Sequence, residues 1–258
     1  MVLEDVQSRK DHRQISIDKV GVKNIVYPVT VLDKAHGEQH TVATVNMYVG
    51  LPHHFKGTHM SRFVEVLNEY HRGIALQSFR DILEKIRSRL DAASAHMEVS
   101  FPYFLEKRAP VSREASIMSY PCSFRGSLTD EGYDLVVEVK VPVTSVCPCS
   151  KAISQGGAHN QRSEVTVCVR FDEFVWIEDL IHLVESRASA EVYSLLKRAD
   201  EKHLTEKAYN NPKFVEDIVR DAAHALIRDP NVTWFSVEAE NFESIHNHNA
   251  YAYVEKYE

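Results

Sequence analysis

The segment best suited to chemistry is Cys147-Pro148-Cys149, which leads through Gly156-Gly157 to His159. Two thiols this close are too constrained to pair readily with each other, and the proline stiffens the link between them. A thiolate and an imidazole are both metal ligands. A zinc ribbon would need a second cysteine pair, so a metal here must take a ligand from elsewhere and can keep an open position. The alternative is an idle pair of loop thiols beside a surface histidine.

Three further groups lie on other segments. Glu201 follows Arg198-Ala199-Asp200, and Glu216 follows Asn211-Pro212-Lys213-Phe214-Val215. Each carboxylate is either a ligand or a solvated helix residue. His246 and His248 share one face if the chain is extended there, and histidine titrates near neutrality, so the pair could move protons. A polar hairpin tip is the alternative for this pair.

The elements that must position these groups repeat one order in each half of the chain. In the first half, alternating apolar residues predict strands at 20–32, 39–50, 97–106 and 114–126. Helical spacing predicts two helices between the second and third of these strands, one from Arg62 and one that carries Leu76 to Leu90. In the second half the same order is predicted: strands 135–141 and 165–171, helices 176–186, 189–208 and 213–228, and strands 232–242 and 247–256.

This internal repeat predicts an α+β fold of antiparallel sheets with helices on one face. The predicted division is a polar N-terminal segment at 1–19, a first unit at 20–128 and a second unit at 129–258 that carries most of the site. Each half leaves sheet edges unpaired, so assembly of several copies into a closed barrel is expected.

The composition excludes several classes of protein. The 258 residues are 44% hydrophobic and 26% charged, as in a soluble globular protein, and the net charge of −7 argues against a general nucleic-acid binder. No apolar run approaches the roughly 18 residues of a membrane helix, and the N-terminus does not resemble a signal peptide. Four cysteines are too few for a disulfide scaffold. A cytoplasmic protein without membrane contact is expected.

The whole chain from Val20 onward resembles the GTP cyclohydrolase IB family of the tunnelling fold. The resemblance rests on these segments: Gly57-Thr58-His59-Met60-Ser61-Arg62, Ser145-Val146-Cys147-Pro148-Cys149-Ser150-Lys151, Gly157-Ala158-His159-Asn160-Gln161-Arg162-Ser163, Lys197-Arg198-Ala199-Asp200-Glu201-Lys202, Asn211-Pro212-Lys213-Phe214-Val215-Glu216-Asp217 and His246-Asn247-His248. It implies tandem tunnelling-fold units that assemble into a homotetrameric barrel with active sites at subunit boundaries.

The resemblance also implies a reaction. GTP and water would give 7,8-dihydroneopterin triphosphate and formate, the entry to folate and, in bacteria, queuosine synthesis. A divalent zinc, manganese or iron ion would be held by Cys147, His159 and Glu201, and would activate the water that attacks C8 of guanine. His246, helped by His248, would shuttle protons.

The remaining roles implied by the resemblance concern substrate binding. Glu216 would accept two hydrogen bonds from guanine, and the phosphate ligands would be His59, Arg62, Lys151 and Arg162. Cys149 has three open roles: it could replace Cys147 as ligand, influence the metal without binding it directly, or act as an acid or nucleophile.

Three rival functions fit the sequence less well. The type IA cyclohydrolase shares the reaction, but its Cys-Glu-His-His metal motif is absent from the sequence. The nitrile reductase of queuosine synthesis has a lysine-rich cofactor-binding run with no counterpart after Glu243-Ser244. A non-catalytic metal-binding or assembly module agrees with each motif singly and is disfavoured by their co-occurrence.

Overall fold

A computed structural model describes residues 7, 9–70 and 74–257, so residues 1–6 and 8 of the predicted N-terminal segment lie outside it. The chain forms two compact units: Met1–Phe101 with Ser123–Val136, and Pro102–Cys122 with Val137–Glu258. Three strands have residues in both units. The boundary predicted between residues 128 and 129 stays a prediction.

The first half of the chain has the predicted order of elements. These are β1 (Ile17–Asp33), β2 (Gly37–Leu51), α1 (Met60–Glu69), a 3-10 turn (Leu76–Ser78), α2 (Phe79–Arg89), β3 (Ala95–Arg108) and β4 (Ala115–Thr129). Strands β1 and β2 form an antiparallel hairpin, whose turn Asp33 closes by accepting hydrogen bonds from the backbone N–H groups of Ala35 and His36. Gly37 ends the turn at a φ of 84°, a conformation that favours glycine.

The helices of the first unit bury one apolar face against the strands. The buried residues are Phe63, Val66 and Leu67 of α1 and Phe79, Ile82, Leu83 and Ile86 of α2. Helix α2 approaches closely at Gly126 of β4, where a Cβ atom would lie 2.5 Å from the Phe79 ring. Spacing of apolar residues by three and four along each helix produces this packing.

The second half repeats the order with two additions. Its elements are β5 (Gly132–Val146), α3 (Pro148–Ile153), β6 (Asn160–Phe171), α4 (Ile177–Glu185), β7 (Ala190–Glu191), α5 (Arg198–Asn210), α6 (Val215–Ile227), β8 (Val232–Asn241) and β9 (Ala250–Tyr257). In the second unit the antiparallel strand order is β5-β6-β8-β9, and β7 pairs with β5. Helices α4 and α6 bury apolar faces, as α1 and α2 do. The predicted α+β class, with antiparallel strands and helices on one face, is confirmed.

Two differences from the prediction change the type of an element. The helix predicted over 189–208 begins only at Arg198, because Ala190 and Glu191 pair with β5 instead. Ser189 supports this pairing: its N–H donates to the Thr144 carbonyl at 3.1 Å, and its hydroxyl accepts from the Val146 N–H. Conversely, the loop after Cys147 contains the short helix α3, which starts at Pro148, a residue suited to the first helical position.

No helix among the described residues is long and apolar enough to cross a membrane. Cys122 and Cys168 are buried in strands, where free cysteine packs as a small apolar residue.

Candidate active site

Ser150 draws the two ends of the cysteine loop together. Its hydroxyl donates to the Cys147 carbonyl and accepts from the His159 N–H, both at 3.1 Å. The Cys147 N–H also donates to the His159 carbonyl at 3.1 Å, which continues the β5–β6 ladder by one bond. The Cys147 thiol is partly buried and accepts from the Ser150 N–H, whereas Cys149 is exposed. Cys147 and His159 are therefore held as neighbours by backbone and hydroxyl contacts.

The connection between β8 and β9 lies beside this loop. Glu243 Oε2 is 3.8 Å from His159 Nδ1, and the rings of His159 and His246 have centroids 6.2 Å apart. The His246 and His248 rings stack at 5.2 Å. The chain is not extended at these two histidines, since β9 begins only at Ala250, so bends in the connection bring the rings together.

Ligand atoms of His159, Glu243 and His246 lie within 4.8 Å of one another. Among the described residues, these three form the group of histidine, cysteine and carboxylate side chains that is close enough to hold a metal ion. Imidazole nitrogen and carboxylate oxygen suit zinc, manganese and iron, so the chemistry of these donors fits a divalent metal. Cys147 and Glu201 are not members of this group. The predicted set of Cys147, His159 and Glu201 stays a prediction.

Two cavities flank the site, and both lie in the second unit. The smaller has a volume of about 370 Å³. Its lining is Cys147, Gln161, Lys213, Phe214, Val215, Glu216, Asn241, Glu243, His248, Ala250 and Tyr251. Glu216 is an exposed residue in the first turn of α6. In sequence it lies near Lys213, whose N–H donates to the Val146 carbonyl at the end of β5. The structure thus brings three predicted site residues, Cys147, Glu216 and His248, to one cavity.

The larger cavity has a volume of about 820 Å³ and includes Glu201, Arg162 and Tyr193 in its lining. Burial, followed by the nearby Glu191 carboxylate, raises the pKa of Tyr193 to about 12, so this phenol keeps its proton at neutral pH. Gln161 lines both cavities. The predicted metal ligands Cys147 and Glu201 therefore line different cavities.

Asp200 positions the start of α5, and with it Glu201. It is fully buried and accepts hydrogen bonds from the N–H groups of Val111 and Ser112, the Ser112 hydroxyl and the Lys197 N–H. Burial alone would raise the pKa of Asp200, but these bonds outweigh it and lower the pKa below its ordinary value. No role was predicted for this residue from the sequence, although an acidic residue in the first turn of a helix is a capping signal.

The other predicted phosphate ligands have partners of their own. Lys151 donates to the Tyr209 carbonyl, and its ammonium lies 4.3 Å from the centre of that ring. In the first unit, His59 stands at the N-cap of α1 and the Arg62 guanidinium donates to the Arg89 carbonyl at 3.1 Å.

Glu243 was not predicted as a site residue. A signal was present, because it begins the segment that carries both histidines.

Comparison with known proteins identifies the family of this chain. Residues 3–252 match the family model described as type I GTP cyclohydrolase FolE2. The chain belongs to this family. It is 64% identical over 252 residues to the GTP cyclohydrolase FolE2 of Syntrophus aciditrophicus (strain SB), covering 98% of this chain and 99% of that protein. With the FolE2 protein of Geotalea uraniireducens (strain Rf4) the identity is 60% over 254 residues, covering 98% and 93%.

The resemblance drawn from the sequence is therefore confirmed at the level of type I GTP cyclohydrolases, with FolE2 as the family that matches.

Solved structures are similar in fold alone. A uricase from Arthrobacter globiformis has a TM-score of 0.53 at 9% identity, covering 93% of this chain and 92% of that one. A second uricase, from Bacillus fastidious, has a TM-score of 0.55 at 8% identity, covering 96% and 94%.

Proposed function

We propose that this protein is a GTP cyclohydrolase that converts GTP and water to 7,8-dihydroneopterin triphosphate and formate, the first step of folate synthesis. The observation that carries the proposal is the smaller cavity, whose lining includes a thiol, a carboxylate and an imidazole, those of Cys147, Glu216 and His248. Membership of the FolE2 family supports the same reaction.

Glu216 supplies the recognition of guanine. Its carboxylate is exposed at the first turn of α6 and lines the cavity, where it is accessible to a ligand. One carboxylate accepts two parallel hydrogen bonds, from N1–H and from the exocyclic amine of guanine. Adenine presents no such pair of donors, so ATP leaves the carboxylate unsatisfied and is rejected.

A divalent metal at this site supplies Lewis acidity for activating water. The residues proposed to hold it are Cys147, His159 and Glu201, and the group of His159, Glu243 and His246 is the alternative supported by distance. Mixed sulfur, nitrogen and oxygen donors are intermediate in softness, so zinc, manganese and iron all suit the site.

The proton transfers are assigned to the β8–β9 connection. Opening the imidazole ring, rearranging the sugar and closing the new ring each require a proton to move, and imidazole does this near neutral pH. His246 and His248 stack on each other, and His248 reaches the cavity that holds Glu216. The exposed Cys149 thiol keeps three proposed roles: a ligand in place of Cys147, a neighbour that tunes the metal, or an acid or nucleophile.

Cationic side chains are proposed to bind the triphosphate. Arg162 lines the larger cavity, and its guanidinium suits bidentate contacts with phosphate oxygens. Lys151, His59 and Arg62 complete the proposed set. We also propose the type IB assignment, a homotetramer with sites at subunit boundaries, and a cytoplasmic location.

The decisive experiment incubates the purified full-length protein with GTP and Mn²⁺ or Zn²⁺. The expected products are formate and a pterin that becomes fluorescent after oxidation, and a chelator should stop both. Absence of pterin with every divalent metal tried would overturn the proposal. Reduction of a nitrile by NADPH, or metal binding without turnover, would instead favour one of the rival functions.

A further inference from the structure

A buried row of polar side chains leads to His159. It consists of Asn241, Ser163, Ser145 and Gln161, with exposed fractions of 3%, 0%, 0% and 6%. Ser163 Oγ lies 2.6 Å from Asn241 Oδ1 and 3.1 Å from Ser145 Oγ. Gln161 Nε2 lies 2.7 Å from Ser145 Oγ, and Gln161 Oε1 lies 3.0 Å from His159 Nδ1. The row connects the end of β8 to a proposed metal ligand without a break.

The direction of each hydrogen bond follows from the first acceptor. The carbonyl oxygen of Asn241 accepts only, so it takes the single hydroxyl proton of Ser163. The contact between the two serines then uses the proton of Ser145, and the Ser145 oxygen accepts from the Gln161 amide nitrogen. The amide oxygen of Gln161 therefore faces His159, and Nδ1 of His159 must be the donor.

We infer that Gln161 is a positioning residue that keeps the proton of His159 on Nδ1 and leaves the lone pair of Nε2 free for a divalent metal. This inference rests on the proposed metal-dependent function. Because the row is buried, water does not compete for these bonds and each one is strengthened by its neighbours. Histidines that bind metals commonly donate their second ring N–H to an acceptor in this way, which fixes the tautomer and the ring orientation.

The same contact decides how Glu243 can act. Its carboxylate is 3.8 Å from His159 Nδ1, so it lies beside the nitrogen whose proton goes to Gln161. A protonated nitrogen has no lone pair for a metal, and a metal bound through His159 must use Nε2. Glu243 is thus an alternative acceptor for the Nδ1 proton as well as a possible ligand. Gln161, which lines both cavities, competes with Glu243 for this proton.

The test compares Gln161→Met, which keeps the volume and removes the acceptor, with Gln161→Glu, which keeps an acceptor. Nitrogen NMR of the metal-free protein labelled at histidine reports the tautomer, and His159→Gln identifies the signal among the 14 histidines. We expect Nδ1–H in the wild type and in Gln161→Glu, and a mixture of tautomers in Gln161→Met. A wild-type spectrum with the proton on Nε2 would overturn the inference, whether or not any variant folds.

Metal affinity gives a second readout, measured for Zn²⁺ and Mn²⁺ by competition with a chelating dye. Gln161→Met should bind about 10- to 100-fold more weakly, the usual cost of removing a partner behind a metal ligand, while Gln161→Glu stays near the wild type. Thr166→Val, a buried change on the same strand, is the control and should leave affinity unchanged. Equal losses in Gln161→Met and Gln161→Glu would mean a structural role only and would overturn the inference.

Failure of this inference and failure of the proposed function give different results. A wild-type protein that carries Nδ1–H and binds Zn²⁺, but makes no pterin, supports the inference and overturns the function. A protein that makes pterin from GTP while its His159 proton resides on Nε2 overturns the inference and supports the function.

Discussion

Two polar clusters in the second unit contrast in how their charges are satisfied. In the first, which we call the buried cluster, the Lys107 ammonium lies 2.6 Å from Glu185 Oε1 and donates to the Val192 carbonyl. Tyr120 donates to the same Glu185 oxygen, and the Lys107 ammonium is 4.1 Å from the centre of the Tyr193 ring. Burial, followed by the Glu185 charge, raises the pKa of Tyr120 well above its usual range, so it remains a donor.

The second, which we call the site cluster, consists of Cys147, His159, Glu243, His246 and His248. Its residues are partly or fully exposed and meet through rings and long contacts rather than through short ion pairs. The buried cluster uses its donors and acceptors to hold the fold, because an unpaired charge there would be costly. The side chains of the site cluster stay accessible, as the proposed metal and substrate require.

The largest expected effect is on activity, from Cys147→Ala. We expect turnover to fall by about 10³-fold or more, because several kcal/mol of stabilisation are lost with the metal. The free energy of unfolding should fall by only about 1 kcal/mol, the usual cost of losing a helix N-cap contact. Elemental analysis and denaturant unfolding measure the two effects. Cys122→Ala is the matched control: burial raises the pKa of Cys122, and its loss should lower stability by about 1 kcal/mol without removing metal. Full metal content in Cys147→Ala would show that Cys147 is not a ligand.

Removing a proton carrier should come next. His248→Ala is expected to lower kcat by about 10²- to 10⁴-fold, the usual contribution of a general acid or base, with little change in metal content. Steady-state pterin formation measures it. His224→Ala, an exposed histidine of α6 in the same unit, should leave kcat unchanged. Equal rates for the wild type and His248→Ala would show that His248 is not a proton carrier.

Breaking the buried cluster should change stability. Lys107→Met leaves the Glu185 carboxylate buried without its cation, which is expected to cost about 3–5 kcal/mol in the free energy of unfolding. Denaturant unfolding measures this cost. Lys202→Met removes a lysine that is 75% exposed and paired with Glu206 at 3.8 Å, and it should cost less than about 1 kcal/mol. Similar costs for both variants would contradict the contrast between buried and exposed charges.

A smaller effect is expected at the proposed guanine anchor. Glu216→Gln should raise KM for GTP by about 10- to 100-fold, because hydrogen bonds to a charged group contribute about 1.5–3 kcal/mol. Inosine triphosphate, which lacks the exocyclic amine, sharpens the test. The wild type should prefer GTP over it, and Glu216→Gln should lose most of that preference. An unchanged preference would mean that another group reads the amine.

The smallest effect concerns pH and Asp200. Its pKa is lowered in the folded protein, so it contributes stability above the ordinary pKa of about 4, and this contribution is lost as the pH falls toward the folded value. Thermal unfolding at pH 7 and at about pH 3.5 should show a smaller acid-induced decrease for Asp200→Asn than for the wild type. Equal decreases would indicate that Asp200 titrates normally.

Sequence alone determined the order of elements and the segments that carry the site. Alternating apolar residues predicted the strands, and three- and four-residue spacing predicted α4 and α6 close to their observed bounds, because both periodicities depend on the local chain. The helix predicted over 189–208 was wrong at its start because Ala190 and Glu191 pair with β5, a contact distant in sequence.

The tertiary structure decided which of these segments meet. The pairing of Ser163 with Asn241 across β6 and β8 sets where the β8–β9 connection leaves the sheet, and this places Glu243 beside His159. Local pattern says nothing about such proximity, since it depends on strand register. For the same reason, only the structure showed that buried Asp200 fixes the start of the helix that carries Glu201. It also showed the contact between Gln161 and the His159 ring.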